Sequence, residues 1–197
     1  AGWFRWATRL VCHCRSETEA KAFLMSVENR FKDCGLMLHP NKTKVVYCKD
    51  DKRRGEFEHT SFDFLGFTFR PRLARSPKTG KRFVGFNPAV SRSALKRMGL
   101  VIRRWHLHRR SDKSLAELGR IFNPVLRGWI NYFGWVNKSA LSRLFNRLDL
   151  RLGRWAMKKY KKLRGHRRRA WAWIRQYFIH HPDDFVHWRF MYPRVAG

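Results

Sequence analysis

The sequence has few acidic residues and lacks the features that define several common protein classes. It holds 14 Asp and Glu against 44 Lys and Arg, for a formal net charge of +30. No apolar run approaches the roughly 20 residues of a membrane span, and no signal-peptide pattern opens the chain. No glycine-rich phosphate loop, Ser/His/Asp set or Cys/His set stands out. These absences disfavour membrane-spanning proteins, nucleotide hydrolases and nucleophilic hydrolases.

The composition that remains is that of a folded, strongly basic protein. Hydrophobic residues make up 44% of the chain and aromatic residues 15%, which a disordered basic tail would lack. Positive charges on a compact body repel one another, and a polyanion relieves that repulsion. Nucleic acid is the leading candidate. A membrane surface is weaker, because the aromatic residues are spread over all segments instead of one helix face.

The four cysteines do not form a recognisable metal motif. Cys12-His13-Cys14 suggests zinc, with Cys34 and Cys48 as further ligands, but no second close pair completes a zinc knuckle. We therefore expect no bound metal, and reduced, mostly buried thiols in a cytosolic protein.

Charge and periodicity divide the chain near residue 87. Residues 1–87 carry nine of the fourteen acids, and residues 88–181 contain only Asp112, Glu117 and Asp149 as acids. The patterns predict an α+β fold, with a small antiparallel region at 1–87, a basic helical bundle at 88–181 and an aromatic tail at 182–197. In the first region we expect a helix at 17–34, capped by Ser16 and Glu19, and strands at 5–14, 43–48, 62–70 and 82–86.

The stretch NPVLRGWINYFG, residues 123–134, is typical of a well-delimited helix. Asn123 is a suitable N-cap, Pro124 suits the first helical position, and Gly134 suits a left-handed end. The apolar positions recur at helical spacing and are expected in the core; they are Leu126, Trp129, Ile130 and Phe133.

Four further helices are predicted around this one. Pro88 opens a helix that runs to about 109, and Ser114 with Glu117 forms a capping box for the next. A long helix covers about 138–163, Gly165 breaks it, and a last helix covers about 167–180.

The long helix carries separate basic and apolar stripes. At 100° per residue, six of its basic side chains fall within an arc of roughly 80°; they are Arg143, Arg147, Arg151, Arg154, Lys158 and Lys161. A solvated face is the alternative interpretation, but few acids are present to neutralise the stripe through i,i+4 pairs. Phosphates would neutralise it. The predicted RNA-binding residues are Arg92, Lys96, Arg103, Arg104, Arg109, Arg110, Arg127, Arg143, Arg147, Arg151, Arg154, Lys158, Lys161, Lys162, Arg164, His166, Arg167, Arg168 and Arg169.

Two local clusters have competing interpretations. Residues 158–169, KKYKKLRGHRRR, suit a nuclear-localisation-like run, a disordered patch or an ordered phosphate clamp, and the interleaved aromatic residues favour the clamp. The run His180-His181-Pro182-Asp183-Asp184, with His187, suggests a metal nuclease. It lacks a second His-Asn element, and Pro182 marks a helix end, so we expect no catalysis there.

In this order, the segments resemble the C-terminal part of bacterial group II intron reverse transcriptase/maturases. RWATRLVCHCRSETEA is similar to the segment with the Tyr-Ala-Asp-Asp turn, and GLMLHPNKTKVVYC to the next palm motif, whose lysine would be Lys42. FDFLGFTFRPR is similar to the primer grip, at Phe64, Leu65 and Gly66. Residues from 88 onward resemble the thumb and the maturase-specific domain, for which NPVLRGWINYFG is the most specific signature.

The resemblance also shows departures that bear on catalysis. Trp6-Ala7-Thr8-Arg9 stands where the family has paired aspartates. Two-metal phosphoryl transfer needs carboxylates, and Arg9 would place a positive charge at the metals. The fingers and the rest of the palm are missing from a sequence that begins at Ala1. We therefore expect a fragment, a truncated relative or a remnant, without polymerase activity alone.

The resemblance implies a maturase-type module that binds structured group II intron RNA in the bacterial cytoplasm. It would stabilise the folded RNA, which uses its own Mg²⁺, and the protein would need no cofactor. One alternative is the thumb and part of the palm of an RNA-directed DNA polymerase, completed by another chain and bound to an RNA/DNA hybrid. Another is a basic scaffold that binds any polyanion.

Overall fold

The computed structural model describes residues 10–53, 55–136 and 138–193 and confirms the α+β class. Its strands form one antiparallel sheet in the order β1-β2-β3. The elements are α1 (Glu17–Asp33), β1 (Phe62–Phe64), β2 (Phe67–Arg75), β3 (Arg82–Val90), α2 (Arg92–Arg104), α3 (Leu115–Phe133), α4 (Lys138–Lys159), α5 (Arg167–His180) and α6 (Val186–Met191), with 3₁₀ turns at Leu107–Arg109 and Lys161–Leu163.

The chain forms two compact units. The N-terminal unit contains the residues up to Leu65 together with Phe69–Asn87, and the C-terminal unit contains Gly66–Thr68 and the residues from Pro88 onward. Among the described residues, no side chain of the N-terminal unit is buried, whereas the C-terminal unit has a continuous set of buried apolar side chains. The hydrophobic core therefore lies in the C-terminal unit.

In the N-terminal unit, α1 begins and ends where its capping residues predict. The Ser16 hydroxyl accepts a hydrogen bond from the Glu19 N–H at 3.1 Å, and the Glu19 carboxylate accepts one from the Arg15 N–H at 2.7 Å. Gly35 follows the helix with φ of +69°, the left-handed conformation that favours glycine. No α1 side chain is fully buried.

Three of the strand predictions are wrong. Residues 10–14 and 43–48 form no strand, and 5–9 lie outside the described residues. Residues 62–70 contain a hairpin turn, with φ of +48° at Leu65 and +84° at Gly66. Positive φ at both central residues is typical of a type I′ turn. The alternating aromatic residues fit a hairpin as well as a single strand, so periodicity alone could not separate the two.

The predicted helix start at Pro88 is also wrong. Pro88 lies within β3, an edge strand of the sheet, where the missing N–H of proline is tolerated. The helix begins after Ser91, whose buried hydroxyl accepts the Ala94 N–H at 3.1 Å. It ends at Arg104, and the segment to Arg109 is a separate 3₁₀ turn.

Helix α4 lies at the centre of the C-terminal unit, and its predicted apolar stripe is confirmed. It packs against α5, α2, α3, α6 and the 3₁₀ turn Leu107–Arg109. The helix ends at Lys159, four residues before the predicted end at 163. The buried side chains of the stripe are Leu141, Leu144, Phe145, Leu148, Leu152, Trp155 and, in the following 3₁₀ turn, Leu163.

Helix α3 is longer than predicted and does not begin at Asn123. The Ser114–Glu117 capping box is confirmed at 3.2 and 2.7 Å, but the helix continues without a break through Pro124. The Asn123 side chain donates to the Asp184 carbonyl at 2.9 Å and accepts from the Val186 N–H at 3.2 Å. These tertiary bonds occupy the amide that the sequence pattern assigned to capping.

The end of α3 differs from the prediction in two further respects. Gly134 has right-handed geometry, with φ of −72°, and a Cβ there would lie 2.8 Å from the Phe190 ring. Close packing explains this glycine better than a left-handed turn. Leu126 and Phe133 are buried, but Trp129 and Ile130 are only half-buried.

The segments after α4 are ordered and partly buried. Helix α5 has the predicted bounds, and Gly165 precedes it with φ of +78°. The aromatic tail forms α6, and Phe185, His187 and Trp188 are buried there. No helix within the described ranges has the length and apolarity needed to cross a bilayer.

The prediction of mostly buried cysteines is wrong. Cys12 and Cys34 are exposed, Cys14 and Cys48 are half-buried, and all four are free thiols. All four belong to the N-terminal unit, which has no fully buried side chain among its described residues. A small apolar residue cannot be buried where no core exists.

Candidate nucleic-acid interface

The predicted RNA-binding side chains are almost all exposed and lack acidic partners. Only Arg110 and Arg151 among them are half-buried. The ion pairs of the C-terminal unit use other basic groups, namely Lys113, His187 and Arg189. Within the described part of the chain, none of the predicted basic residues forms a salt bridge. Their charge is therefore not neutralised by acidic side chains of the described residues.

Several of these charges meet at one groove. It has a volume of about 270 Å³ and is lined by Leu107, His108, Arg151 and Arg154. The first two residues come from the 3₁₀ turn Leu107–Arg109, and the two arginines lie one turn apart on α4. We call it the basic groove. Its lining includes two arginines and no acidic side chain, so the groove carries net positive charge.

Electrostatic interactions show which neighbouring charges reach the basic groove. Burial lowers the pKa of Arg151, and the charges of Arg154 and Arg103 lower it further. Arginine stays protonated in spite of this, so three guanidinium groups from α2 and α4 repel one another. Desolvation lowers the pKa of His108, with contributions from Arg109, His106, Lys158 and Arg151. Positive charge from α2, the 3₁₀ turn and α4 thus converges here.

Arg110 is held by contacts inside the C-terminal unit. Its Nε donates to the Trp105 carbonyl at 3.0 Å, and its guanidinium lies 5.5 Å from the centre of the Phe122 ring. Its own carbonyl accepts the indole N–H of Trp155 at 2.8 Å. Lys159, which was not predicted as a site residue, donates to the carbonyls of Ser111 and Lys113 at 3.0 and 2.9 Å. These two basic residues hold the loop before α3.

The dense basic run 158–169 is folded and supported by aromatic rings. It comprises the end of α4, a 3₁₀ turn, Gly165 and the start of α5. The Tyr160 ring lies 4.8 Å from that of Trp173 and 6.1 Å from that of Trp155. These ring contacts hold the backbone of the run, and they therefore fix the positions from which its exposed basic side chains extend into solvent. Their binding to phosphate stays a prediction.

The cluster at 180–187 stabilises packing. Tyr177 donates its hydroxyl to the Asp184 carboxylate at 2.5 Å; desolvation and then this bond raise the pKa of Tyr177. Asp183 pairs with Arg189, and His180 contacts Gln176 at 3.0 Å. Within the described ranges, no three His, Cys, Asp or Glu side chains are placed to hold a metal ion.

Sequence reasoning missed a buried polar set that fixes α6 on α4. Asp149 is 3% exposed and His187 is fully buried. One oxygen of Asp149 accepts the His187 Nε2–H at 2.8 Å and the Trp188 indole N–H at 2.9 Å. The sequence did contain a signal that Asp149 is buried, because this residue lies beside Leu148 and Leu152 in the apolar stripe. A buried carboxylate needs donors nearby.

The remaining predicted site residues lie in or near the N-terminal unit. Lys42 is exposed in a turn that follows Pro40, and its role as a motif lysine stays a prediction. Thr8 and Arg9 lie outside the described residues. The primer-grip-like residues occupy the end of β1 and the turn before β2; they are Phe64, Leu65 and Gly66.

Comparison with known families gives a match that covers the basic groove. No curated protein matches the chain in sequence. Residues 95–173 match the model of the family described as group II intron, maturase-specific domain. The matched range runs from α2 into α5 and includes all the residues that line the basic groove. The match supports a maturase-type C-terminal region, with a role in group II intron splicing and with group II intron RNA as the partner.

Proposed function

We propose that the C-terminal unit binds folded group II intron RNA and stabilises its active conformation. The RNA then performs splicing with its own Mg²⁺, and the protein contributes binding energy only. Exposed basic side chains on α2, α4 and α5 neutralise closely spaced phosphates. Exposed aromatic rings, such as Trp171 and Tyr160, are available to stack on unpaired bases.

The observation that carries this proposal is the convergence of charge at the basic groove without an acidic partner. Arg103, Arg151 and Arg154 each lie close enough to repel another of the set. Such an arrangement destabilises the free protein and is relieved when an anion binds. The family match supports group II intron RNA as this anion.

A splicing assay tests the proposal most directly. A group II intron transcript is incubated at a Mg²⁺ concentration too low for efficient self-splicing, with and without the protein. We expect the wild-type chain to accelerate splicing and the triple variant Arg147→Ala, Arg151→Ala, Arg154→Ala to lose most of that effect.

A charge-matched triple variant provides the control. Lys21→Ala, Arg30→Ala and Lys32→Ala remove three charges from exposed positions on α1. We expect this variant to retain the wild-type effect. If both triple variants lose the effect equally, bulk charge and not the C-terminal surface is responsible.

Competition separates specific RNA binding from attraction to any polyanion. Labelled intron RNA in its folded state is bound at physiological salt and challenged with excess duplex DNA or with the same RNA unfolded. We expect folded RNA to remain bound. Equal displacement by all competitors would favour a non-specific basic scaffold.

We further propose that the chain alone does not polymerise DNA. This rests on the resemblance, which places Thr8 and Arg9 where metal-binding aspartates would stand. Primer extension by this chain, with and without a complementary fingers-and-palm half, should show no product in either case. Product formed only with the added half would favour the alternative of a divided reverse transcriptase.

A further inference from the structure

The lining of the basic groove combines apolar, cationic and imidazole groups. Its apolar residue is Leu107, which is 2% exposed. The others are Arg151 and Arg154, one helical turn apart on α4, and His108 of the 3₁₀ turn. Arginine forks present paired N–H groups to phosphate oxygens. At about 270 Å³, the open groove accommodates a phosphodiester within a chain as well as a free anion.

The 3₁₀ turn that presents His108 is held rigidly. His106, just before it, has φ of +46°, a left-handed conformation that persists in a non-glycine residue only when its surroundings impose it. Arg110 fixes the other end of the turn. Its Nε donates to the Trp105 carbonyl, and its own carbonyl accepts the indole N–H of Trp155. The backbone that carries His108 is therefore fixed before any ligand arrives, which reduces the ordering cost of binding.

We propose that the basic groove binds one backbone phosphate of the RNA, with Arg151, Arg154 and His108 donating hydrogen bonds to its oxygens. This rests on the proposed function and adds a particular site and a residue, His108, to it. The other exposed basic residues would then act more diffusely, through the general attraction of phosphate for positive charge.

The same geometry makes binding at the groove pH-dependent. The groups that face His108 are His106 and Arg109 beside it and Arg151 and Lys158 on α4, with Arg154 lining the same groove. Local desolvation and then their positive charge lower the pKa of His108 in the free protein. A bound phosphate offsets part of this positive charge and raises that pKa. Binding therefore takes up a proton, and affinity increases as the pH falls below neutrality.

Matched double variants of the full chain test the site. Arg151→Gln with Arg154→Gln removes two charges from the groove, and Arg143→Gln with Arg147→Gln removes two from the same helix outside its lining. Affinity for folded intron RNA is measured for both, with circular dichroism to confirm folding. We expect a loss of roughly tenfold or more for the groove pair, as charge-assisted hydrogen bonds are lost, and about two- to threefold for the other pair. If the groove pair fails to fold, Arg154→Gln alone, at an exposed position, replaces it and is compared with Arg147→Gln.

The pH dependence of RNA affinity tests the contribution of His108. Affinity is measured at several pH values for the wild type, His108→Ala and His39→Ala, the last an exposed histidine of the N-terminal unit. We expect His108→Ala to flatten the pH dependence and His39→Ala to leave it unchanged. Equal losses for the two double variants, together with an unchanged pH profile for His108→Ala, would overturn the groove proposal but leave the proposed function standing. Absence of wild-type binding to intron RNA would overturn both.

Discussion

The two units of the chain differ in how their apolar residues are used. In the C-terminal unit, Leu118, Leu126 and Trp155 are 0% exposed. In α1 of the N-terminal unit, Phe23 is 42% exposed and Met25 is 65% exposed. Full burial of one large apolar side chain contributes about 1.5–3 kcal/mol. The free energy of unfolding therefore resides mainly in the C-terminal unit.

The two units also differ in how far their charges are paired. Stability alone would favour paired charges in both. Helix α1 pairs its charges at i,i+4, through Lys21 with Glu17 and Lys32 with Glu28. Helix α4 carries a row of exposed basic side chains, and the described residues provide them with no acidic partner. The unit with the stronger core thus tolerates the uncompensated repulsion. The comparison indicates that the core of the C-terminal unit holds a surface of uncompensated positive charge at some cost in stability.

The largest expected effect is the loss of a tryptophan from this core. Trp155→Ala removes a fully buried ring and its hydrogen bond to the Arg110 carbonyl. We expect it to lower the free energy of unfolding by about 3–5 kcal/mol. Phe23→Ala in the N-terminal unit should cost less than about 1 kcal/mol. Urea unfolding of both variants checks the comparison, and equal losses would show that the two units share one core.

A somewhat smaller effect is expected when the buried acid is removed. Asp149→Ala leaves His187 and Trp188 without their acceptor inside the core, which should cost about 3 kcal/mol. Asp149→Asn keeps one acceptor oxygen and should cost markedly less. Thermal unfolding of the two variants separates the hydrogen bonds from the charge. If both variants melted at the wild-type temperature, the Asp149 contacts would not be what holds α6.

Two glycines of α3 should respond to alanine with opposite signs. A Cβ at Gly119 would meet the carbonyl oxygen of Asp184, whereas a Cβ at Gly128 would enter open space. We expect Gly119→Ala to destabilise the protein by about 1–3 kcal/mol. Gly128→Ala should stabilise it by about 0.5–1 kcal/mol through helix propensity. Chemical denaturation measures both, and a destabilising Gly128→Ala would indicate a contact that the fold does not predict.

The smallest effects concern the two helix caps. Ser114→Ala at α3 should cost about 1 kcal/mol, whereas Ser16→Ala at α1 should leave global unfolding nearly unchanged. Hydrogen bonds to Ser114 lower the pKa of Glu117. The stabilisation is therefore present at neutral pH and is lost as the pH falls through the folded-state pKa. Glu117→Gln should flatten this acid-side loss in unfolding measured from neutral to acidic pH. A wild-type slope in that variant would assign the acid sensitivity elsewhere.

Sequence patterns within a few residues predicted a helix well where its apolar face or its capping residue determined the structure. The apolar stripe of α4, the bounds of α5 and the Ser114 capping box all follow from spacing and side-chain chemistry within a few residues. The exposed basic residues on α2 and α4 follow from the same periodicity. These features need no knowledge of distant parts of the chain.

Tertiary contacts account for the predictions that were wrong. Asn123 and Pro124 have the chemistry of a helix start, but the Asn123 amide bonds to the chain before α6. The groove could not be predicted either, since Leu107 and Arg154 are brought together only when the 3₁₀ turn packs on α4. Residues 43–48 have strand propensity but no ladder partner among the described residues. Contacts between residues distant in sequence decided the first two cases, and the lack of such a contact decided the third.

The salt dependence of RNA binding tests the central claim most directly. The claim is that basic residues on the C-terminal unit contact phosphates, so each lost contact should reduce the slope of log affinity against log salt concentration by about 0.7–0.9. The triple variant Arg147→Ala, Arg151→Ala, Arg154→Ala should therefore give a clearly shallower slope than the wild type. The charge-matched variant Lys21→Ala, Arg30→Ala, Lys32→Ala should keep the wild-type slope. An unchanged slope in the Arg147, Arg151 and Arg154 variant would contradict the account.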